Sequence, residues 1–292
     1  MIDSTGYVFV NGRLVSAANA SVSVFDRGLL YGDGLFETMR AYRGVVFAIE
    51  DHLDRLRTSA RILALPVPEH EWRDVCGDLL RRNGLRRGDA WVRLMITRGA
   101  GEPGLLPPDP PEPTTIVMAG KVSPDHARWR QHGVPVMLLP FAREGFLAEH
   151  KSLNYLSGVF GKALAARHDA YEGLYVDSGE SIREGTTSSL FVVKDGVVST
   201  VPLGGILPGV TRRIVIDLAV AAQIRVIEQR ITAADLRQSD EAFLTSSVAE
   251  IVPIVRVDES RIGSGRPGPV TRRLQRLYQA AVKRHREQRL TT

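Results

Sequence analysis

Hydrophobic positions along this chain change period several times, and each change marks an element. Runs 7–10 and 13–15 are β-prone and flank Asn11-Gly12, a pair suited to the positive φ angles of a two-residue type I′ turn, so a hairpin opens the chain. A second hairpin is predicted over 36–49, turning near Arg43-Gly44. The period then becomes helical. Leu53, Leu56, Ala60 and Leu63 share one face and predict a helix over 51–65, and a second helix over 68–83 ends at Gly84. Strands follow at 91–97 and 114–119, joined by a proline-rich loop, and this half reads as α+β.

Residues 123–133 are polar and weakly periodic, and read as a linker between a domain over 1–122 and a second over 134–292. The second domain reopens with a strand at 134–139 and continues with a helix over 155–168 and strands at 173–176 and 190–193, the latter ending at an Asp195-Gly196 turn. A helix over 210–222 and strands at 241–245 and 251–255 follow. Leu274, Leu277, Tyr278, Ala281 and Val282 give the basic C-terminal stretch, 272–289, one packed face and one solvated face.

Composition narrows the class. With 292 residues, 43% of them hydrophobic and 24% charged, the chain has the make-up of a globular protein with a full core. The net charge of +5 raises the option of a basic, non-catalytic binding protein, but the excess is spread along the chain and no nucleic-acid partner is expected. The single cysteine, Cys76, forms no internal disulfide and reads as a small buried hydrophobe. Residues 1–16 lack the basic start and apolar block of a leader, and no apolar run is long enough to span a bilayer. The reading is cytoplasmic, with no membrane partner.

Gly99-Ala100-Gly101-Glu102-Pro103-Gly104 matches a dinucleotide fingerprint in letters only. Such a site needs a helix opening at the glycines, and Pro107, Pro108, Pro110, Pro111 and Pro113 forbid one. A loop at the edge of a site is predicted instead. The histidines show no ligand spacing, so no metal is expected.

Lysine usage carries the chemistry. Of 38 Lys and Arg residues, only Lys121, Lys151, Lys162, Lys194 and Lys283 are lysines. Lysine can lose its proton and form a Schiff base, and arginine cannot. Lys151 lies just before a predicted helix. Downstream come Glu184-Gly185 with the hydroxyl-rich 186–189, the run 204–211 leading into a helix N-terminus, and Thr245-Ser246-Ser247 after a strand. A pyridoxal-phosphate site needs a lysine, an acidic partner for the ring nitrogen and a cup of backbone N–H groups, hydroxyls and an arginine for the phosphate, and this order supplies a candidate for each.

The chain resembles the class IV aminotransferases, the fold type IV pyridoxal-phosphate enzymes that include branched-chain and D-amino-acid aminotransferases and 4-amino-4-deoxychorismate lyases. The resemblance rests on 26–28, 31–38, 52–56, 151–155, Glu184-Gly185, 207–211 and 249–253. It implies a smaller N-terminal α+β domain, a larger C-terminal domain with a mixed sheet that carries the lysine, and a homodimer. It also implies roles for residues. Lys151 would form the Schiff base and move the proton, and Glu184 would hold the ring nitrogen. Arg55, Val210, Thr211 and Ser247 would hold the phosphate. Tyr155 would meet the ring oxygen, and Leu207 would pack on the ring. Tyr31, Phe36, Thr38, Arg40, Arg93 and Arg98 would serve the substrate.

Branched-chain enzymes of the family have glycine at the place of Thr38 and tyrosine at that of Trp91. The well-known D-amino-acid enzymes carry an Arg-x-His pair that 100–108 lacks. The lyases share Phe36-Glu37-Thr38 and a loop like 99–105. Transamination of D-amino acids, or of a loose range of amino acids, is placed first and the lyase second.

Overall fold

The computed structural model describes residues 6–290, so positions 1–5 of the stretch read for a leader lie outside the described residues. Two compact units divide the chain. The first holds the residues through Val122, together with His150–Asn154 and those from His285 on, and the second holds Ser123–Glu149 and Tyr155–Arg284.

In the first unit the opening hairpin pairs β1 (Tyr7–Val10) with β2 (Arg13–Ser16), and Asn11 and Gly12 take φ angles of 45° and 84°. A short helix, α1 (Arg27–Tyr31), leads to β3 (Gly34–Tyr42), which turns at Arg43-Gly44 into β4 (Val45–Val46). Two helices follow, α2 (Ile49–Ile62) and α3 (Trp72–Arg82), then β5 (Asp89–Thr97) and β6 (Thr115–Lys121). The sheet order is β2-β1-β6-β5-β3-β4, with every pairing antiparallel.

Alternation along β5 sets the two faces of this sheet. Ala90, Val92, Leu94 and Ile96 point into a core with Leu35, Met39, Leu53, Leu56, Trp72, Cys76, Leu79 and Leu80. Trp91, Arg93 and Met95 stand on the opposite face. Register places Met95 beside Phe36, Arg93 beside Thr38 and Trp91 beside Arg40. One face of the sheet is therefore core, and the other carries Phe36, Thr38, Trp91, Arg93 and Met95.

In the second unit the elements run α4 (Asp125–His132), β7 (Val134–Leu138), α5 (Leu156–Arg167), β8 (Glu172–Val176), β9 (Ser181–Gly185), β10 (Ser189–Lys194), β11 (Val197–Thr200) and α6 (Val210–Ala221). After these come β12 (Val226–Glu228), β13 (Ile231–Thr232), α7 (Ala233–Gln238), β14 (Glu241–Ser246), β15 (Glu250–Val257), β16 (Ser260–Arg261) and α8 (Pro269–Leu290). The ten-stranded sheet is mixed. β7 runs parallel to both β8 and β15, and β11 runs parallel to β12. Val134, Val136, Leu174, Leu190, Val192, Leu244 and Val252 fill its core.

Two boundary readings are corrected. The stretch read as a linker, 123–133, carries α4, whose Trp129 ring lies 4.6 Å from that of Tyr171 and packs on the core of the second unit. Its other side chains, Ala127 apart, are polar, which hides the helix from a periodicity reading. Lys151, expected with the C-terminal domain, lies in a segment that groups with the first unit. Phe36 N donates to Lys151 O at 2.9 Å, and Leu153 N donates to Gly34 O at 3.0 Å.

Candidate active site

The first unit brings Lys151 onto the face of its sheet opposite the core. Paired to the start of β3 through those backbone bonds, Lys151 places its Nζ 4.6 Å from the centroid of the Phe36 ring, and the Arg93 guanidinium carbon lies 4.1 Å from the same ring. Cations are drawn to aromatic faces, so Phe36 orders both without neutralising either. Thr38, beside Arg93 in register, is partly exposed on this face. Gly120 is required here, because a Cβ on it would sit 2.5 Å from Trp91 Cζ2.

Behind that face, Glu37 points the other way and meets α2. It is fully buried and accepts from Arg55 Nε at 2.8 Å and Nη2 at 2.6 Å, and its Oε2 lies 2.7 Å from His52 Nδ1. Burial pushes the Glu37 carboxyl up, but Arg55 and His52 outweigh it and hold the pKa at about 2. Burial lowers His52 despite Glu37. Arg55, expected at a phosphate, is thereby fixed in direction by a carboxylate.

Tyr31 anchors the glycine loop: its hydroxyl accepts from Gly104 N at 2.9 Å. Arg27, stacked 4.9 Å from the Tyr31 centroid, donates to the carbonyls of Gly104, Leu105 and Leu106. No helix forms at 99–104, as the prolines require.

Two arginines expected to serve the substrate are committed within the fold. Arg98 donates from Nε to Asp33 at 2.8 Å, from Nη1 to Ala64 O at 2.7 Å and from Nη2 to Leu63 O at 3.0 Å. It closes the C-terminal end of α2, where carbonyls lack helical partners. Arg40 shares the face of Phe36 but donates to Asp89 at 2.7 Å and lies over the Tyr42 ring, so Arg93 remains the better-placed cation.

In the second unit, Glu184 is buried at the end of β9. It accepts from Arg143 Nη1 at 2.8 Å and from Leu207 N at 3.2 Å. Tyr155, just before α5, donates to Thr186 O at 2.7 Å, and burial raises its phenol to about 12. The loop 204–211 differs in detail from the expectation. Gly205 N donates to Glu149 Oε1 at 2.8 Å and Gly204 O accepts from Arg183, so the glycine pair is already occupied. What remains for an anion is the first turn of α6 at Val210 and Thr211, where no side chain caps the helix. Ser247 follows β14, and on that strand Thr245 Oγ1 is buried with no hydrogen-bond partner.

These residues fit a phosphorylated pyridine. They offer an uncapped helix start and a buried unpartnered hydroxyl for oxyanions, and a buried carboxylate for a ring nitrogen. Sequence reasoning gave no role to Glu37 and Arg143. Glu37 sat in a quoted motif without a role, and Arg143 lies in an irregular segment with no period to flag it.

Comparison with known proteins places the chain in a family. The profile described as Amino-transferase class IV matches residues 34–257, and the chain belongs to that family. A protein of Methanocaldococcus jannaschii, provisionally named a branched-chain-amino-acid aminotransferase, is 39% identical over 274 residues, covering 93% of this chain and 94% of that protein. The D-alanine aminotransferase of Listeria monocytogenes is 33% identical over 282 residues, covering 95% and 96%. Among solved structures, a branched-chain amino acid aminotransferase from T.th., complexed with N-(5'-phosphopyridoxyl)-L-glutamate, matches with a TM-score of 0.87 at 30% identity, covering 95% and 94%. The 4-amino-4-deoxychorismate lyase of Pseudomonas aeruginosa matches with 0.79 at 33%, covering 92% and 96%. The higher identity to a branched-chain relative runs against the ranking that set such enzymes behind D-amino-acid ones.

Proposed function

We propose that this protein is a pyridoxal-phosphate-dependent transaminase that moves an amino group between an amino acid and an α-keto acid. The observation that carries the reading is Lys151, pinned by backbone bonds beside Phe36 with its Nζ over the ring and Arg93 at the same ring. When bound, pyridoxal phosphate supplies a carbonyl carbon for a lysine amine and a ring that withdraws the electron pair left at the substrate Cα. Lys151 would hold the cofactor through its amine and would carry the proton at the substrate Cα. Glu184, paired to Arg143, receives the ring nitrogen. Arg55, steered by Glu37, would serve the phosphate, as would the N–H groups of Val210 and Thr211 and the Ser247 hydroxyl. Leu207 would pack on the ring, and Tyr155 would meet its oxygen. Tyr31, Phe36, Thr38 and Arg93 receive the substrate, Arg93 at its carboxylate.

The substrate is proposed from the same face. Phe36, Trp91 and Met95 are apolar, which suits a hydrophobic side chain, and both branched-chain and D-alanine relatives support a range rather than a single substrate. A homodimer is proposed too, supported by the exposed Val24, Phe25, Leu29, Leu105 and Leu106 of the first unit. The buried thiol of Cys76 fits a cytoplasmic setting.

The test mixes cofactor-loaded protein with single amino acids and follows the visible band. Bleaching by D-alanine or L-leucine, with recovery on adding a keto acid, supports transamination and reports the stereochemistry. Silence toward every amino acid, with pyruvate and 4-aminobenzoate released from aminodeoxychorismate, moves the assignment to the lyase.

A further inference from the structure

Glu172 opens β8 with no exposed surface, and it is surrounded by hydroxyls. Thr186 Oγ1 donates to Oε1, Thr187 Oγ1 donates to Oε2 at 2.8 Å, and Ser188 Oγ donates to Oε2 at 3.1 Å. Gly173 N donates to Oε1 at 3.1 Å, and Lys162 Nζ stands 3.6 Å from the same oxygen. A carboxylate taken fully out of water is costly unless it is paired and hydrogen-bonded throughout, and Glu172 is. These hydroxyls belong to the turn between β9 and β10, directly after Glu184.

That turn has little freedom. Gly185 N donates to Ser188 O at 2.7 Å, and Thr186 N donates to Gly173 O at 3.0 Å. A Cβ on Gly185 would meet Ser188 Oγ at 2.4 Å and Glu172 Cγ at 3.0 Å, so the close approach needs glycine. The turn in turn holds Tyr155, whose hydroxyl donates to Thr186 O at 2.7 Å. A phenol has one proton. While the Thr186 carbonyl holds it, a second partner of Tyr155 meets oxygen lone pairs, in a direction set by the turn.

We infer that Glu172 is a positioning residue for the proposed reaction: by gathering the hydroxyls of Thr186, Thr187 and Ser188 it fixes the carbonyl that aims the Tyr155 phenol. The inference rests on the transaminase reading for the partner of Tyr155, the cofactor's ring oxygen, but the arrangement of Glu172, turn and phenol belongs to the protein alone. Arg143, Glu172, Glu184 and Tyr175 are the ionisable groups acting on that phenol, so a change at Glu172 reaches it by charge as well as by geometry.

Two measurements test this. In protein without added cofactor, amide exchange is followed in wild type and in Glu172→Gln, which keeps the shape and removes the charge. Exchange at 185–188 should quicken about tenfold while the β14 and β15 amides stay protected. In cofactor-loaded protein, the pH midpoint of the visible band is compared across wild type, Glu172→Gln, Tyr155→Phe and the double variant. Glu172→Gln should move the midpoint by about one pH unit, the tenfold change in proton affinity that one charge-assisted hydrogen bond is worth, and should have no further effect once Tyr155 is Phe. Should Glu172→Gln fold poorly, Thr187→Val with Ser188→Ala removes two of the donors and must act in the same direction.

Unchanged exchange together with an unmoved midpoint overturns the inference. So does a shift that persists in full with Tyr155→Phe. If none of the four proteins takes up the cofactor, the transaminase reading falls, and the exchange result alone decides the role of Glu172 in the turn.

Discussion

Glu37 grips Arg55 by two nitrogens, Nε at 2.8 Å and Nη2 at 2.6 Å, and neither side chain is more than 10% exposed. The pair sits on the core side of β3, one residue from Phe36 and one from Thr38, so a single strand aims Phe36 and Thr38 one way and holds Arg55 on the other side. Bidentate pairing fixes the plane of a guanidinium as well as its place. Glu37→Gln leaves Arg55 buried against a neutral partner. We expect a stability loss of about 3 kcal/mol in urea unfolding and a weaker hold on the cofactor. An unchanged midpoint would show that the pair is idle.

The same cluster makes the first unit acid-sensitive. His52 is lowered from 6.5 and Glu37 from 4.5 to about 2, so both bind fewer protons folded than unfolded. Their contribution is complete above about pH 6.5. It declines first as His52 of the unfolded chain takes up its proton, then further between about 4.5 and 2 as Glu37 does. Urea midpoints measured from about pH 8 down to 3 should be flat at the alkaline end and fall below about 6.5. A profile still flat at pH 4 contradicts the buried cluster.

Arg98 and Arg93 should part company in kinetics. Arg98→Ala removes three donated bonds at the end of α2, for a stability loss of about 2 kcal/mol with KM little changed. Arg93→Ala should raise KM for carboxylate-bearing substrates about tenfold or more. A larger KM effect from Arg98 would restore it as a substrate residue.

Cys76 is packed in α3 at 2% exposure, and burial raises its thiol to about 12. A thiol reagent at pH 8 should leave the native protein unlabelled and react fully in denaturant. Rapid labelling without denaturant would show that the helix opens readily.

Much of this was legible in the sequence, where local chemistry and tertiary structure agree. Asn11-Gly12 demanded positive φ and has it, and the strand read at 91–97 lies within β5. Trp129 is the counter-example: with one aromatic packed and the rest of α4, Ala127 apart, polar, its helix has no period to read. The arginines were indistinguishable in the sequence for another reason. Arg40, Arg93 and Arg98 are chemically alike, and only the positions of Asp89, Phe36 and the carbonyls ending α2 tell them apart. Glu172 went unread because its partners are hydroxyls 14 to 16 residues away, brought to it by the pairing of β8 with β9.

The central claim is that Lys151 carries the cofactor. Borohydride reduction of the cofactor-loaded protein fixes the amine link, and peptide mass mapping locates it. With only five lysines in the chain, the result is unambiguous. The pyridoxyl mass should fall on the peptide containing Lys151 and vanish in Lys151→Ala. The same mass on Lys121, Lys162, Lys194 or Lys283, or on no lysine, would contradict the account.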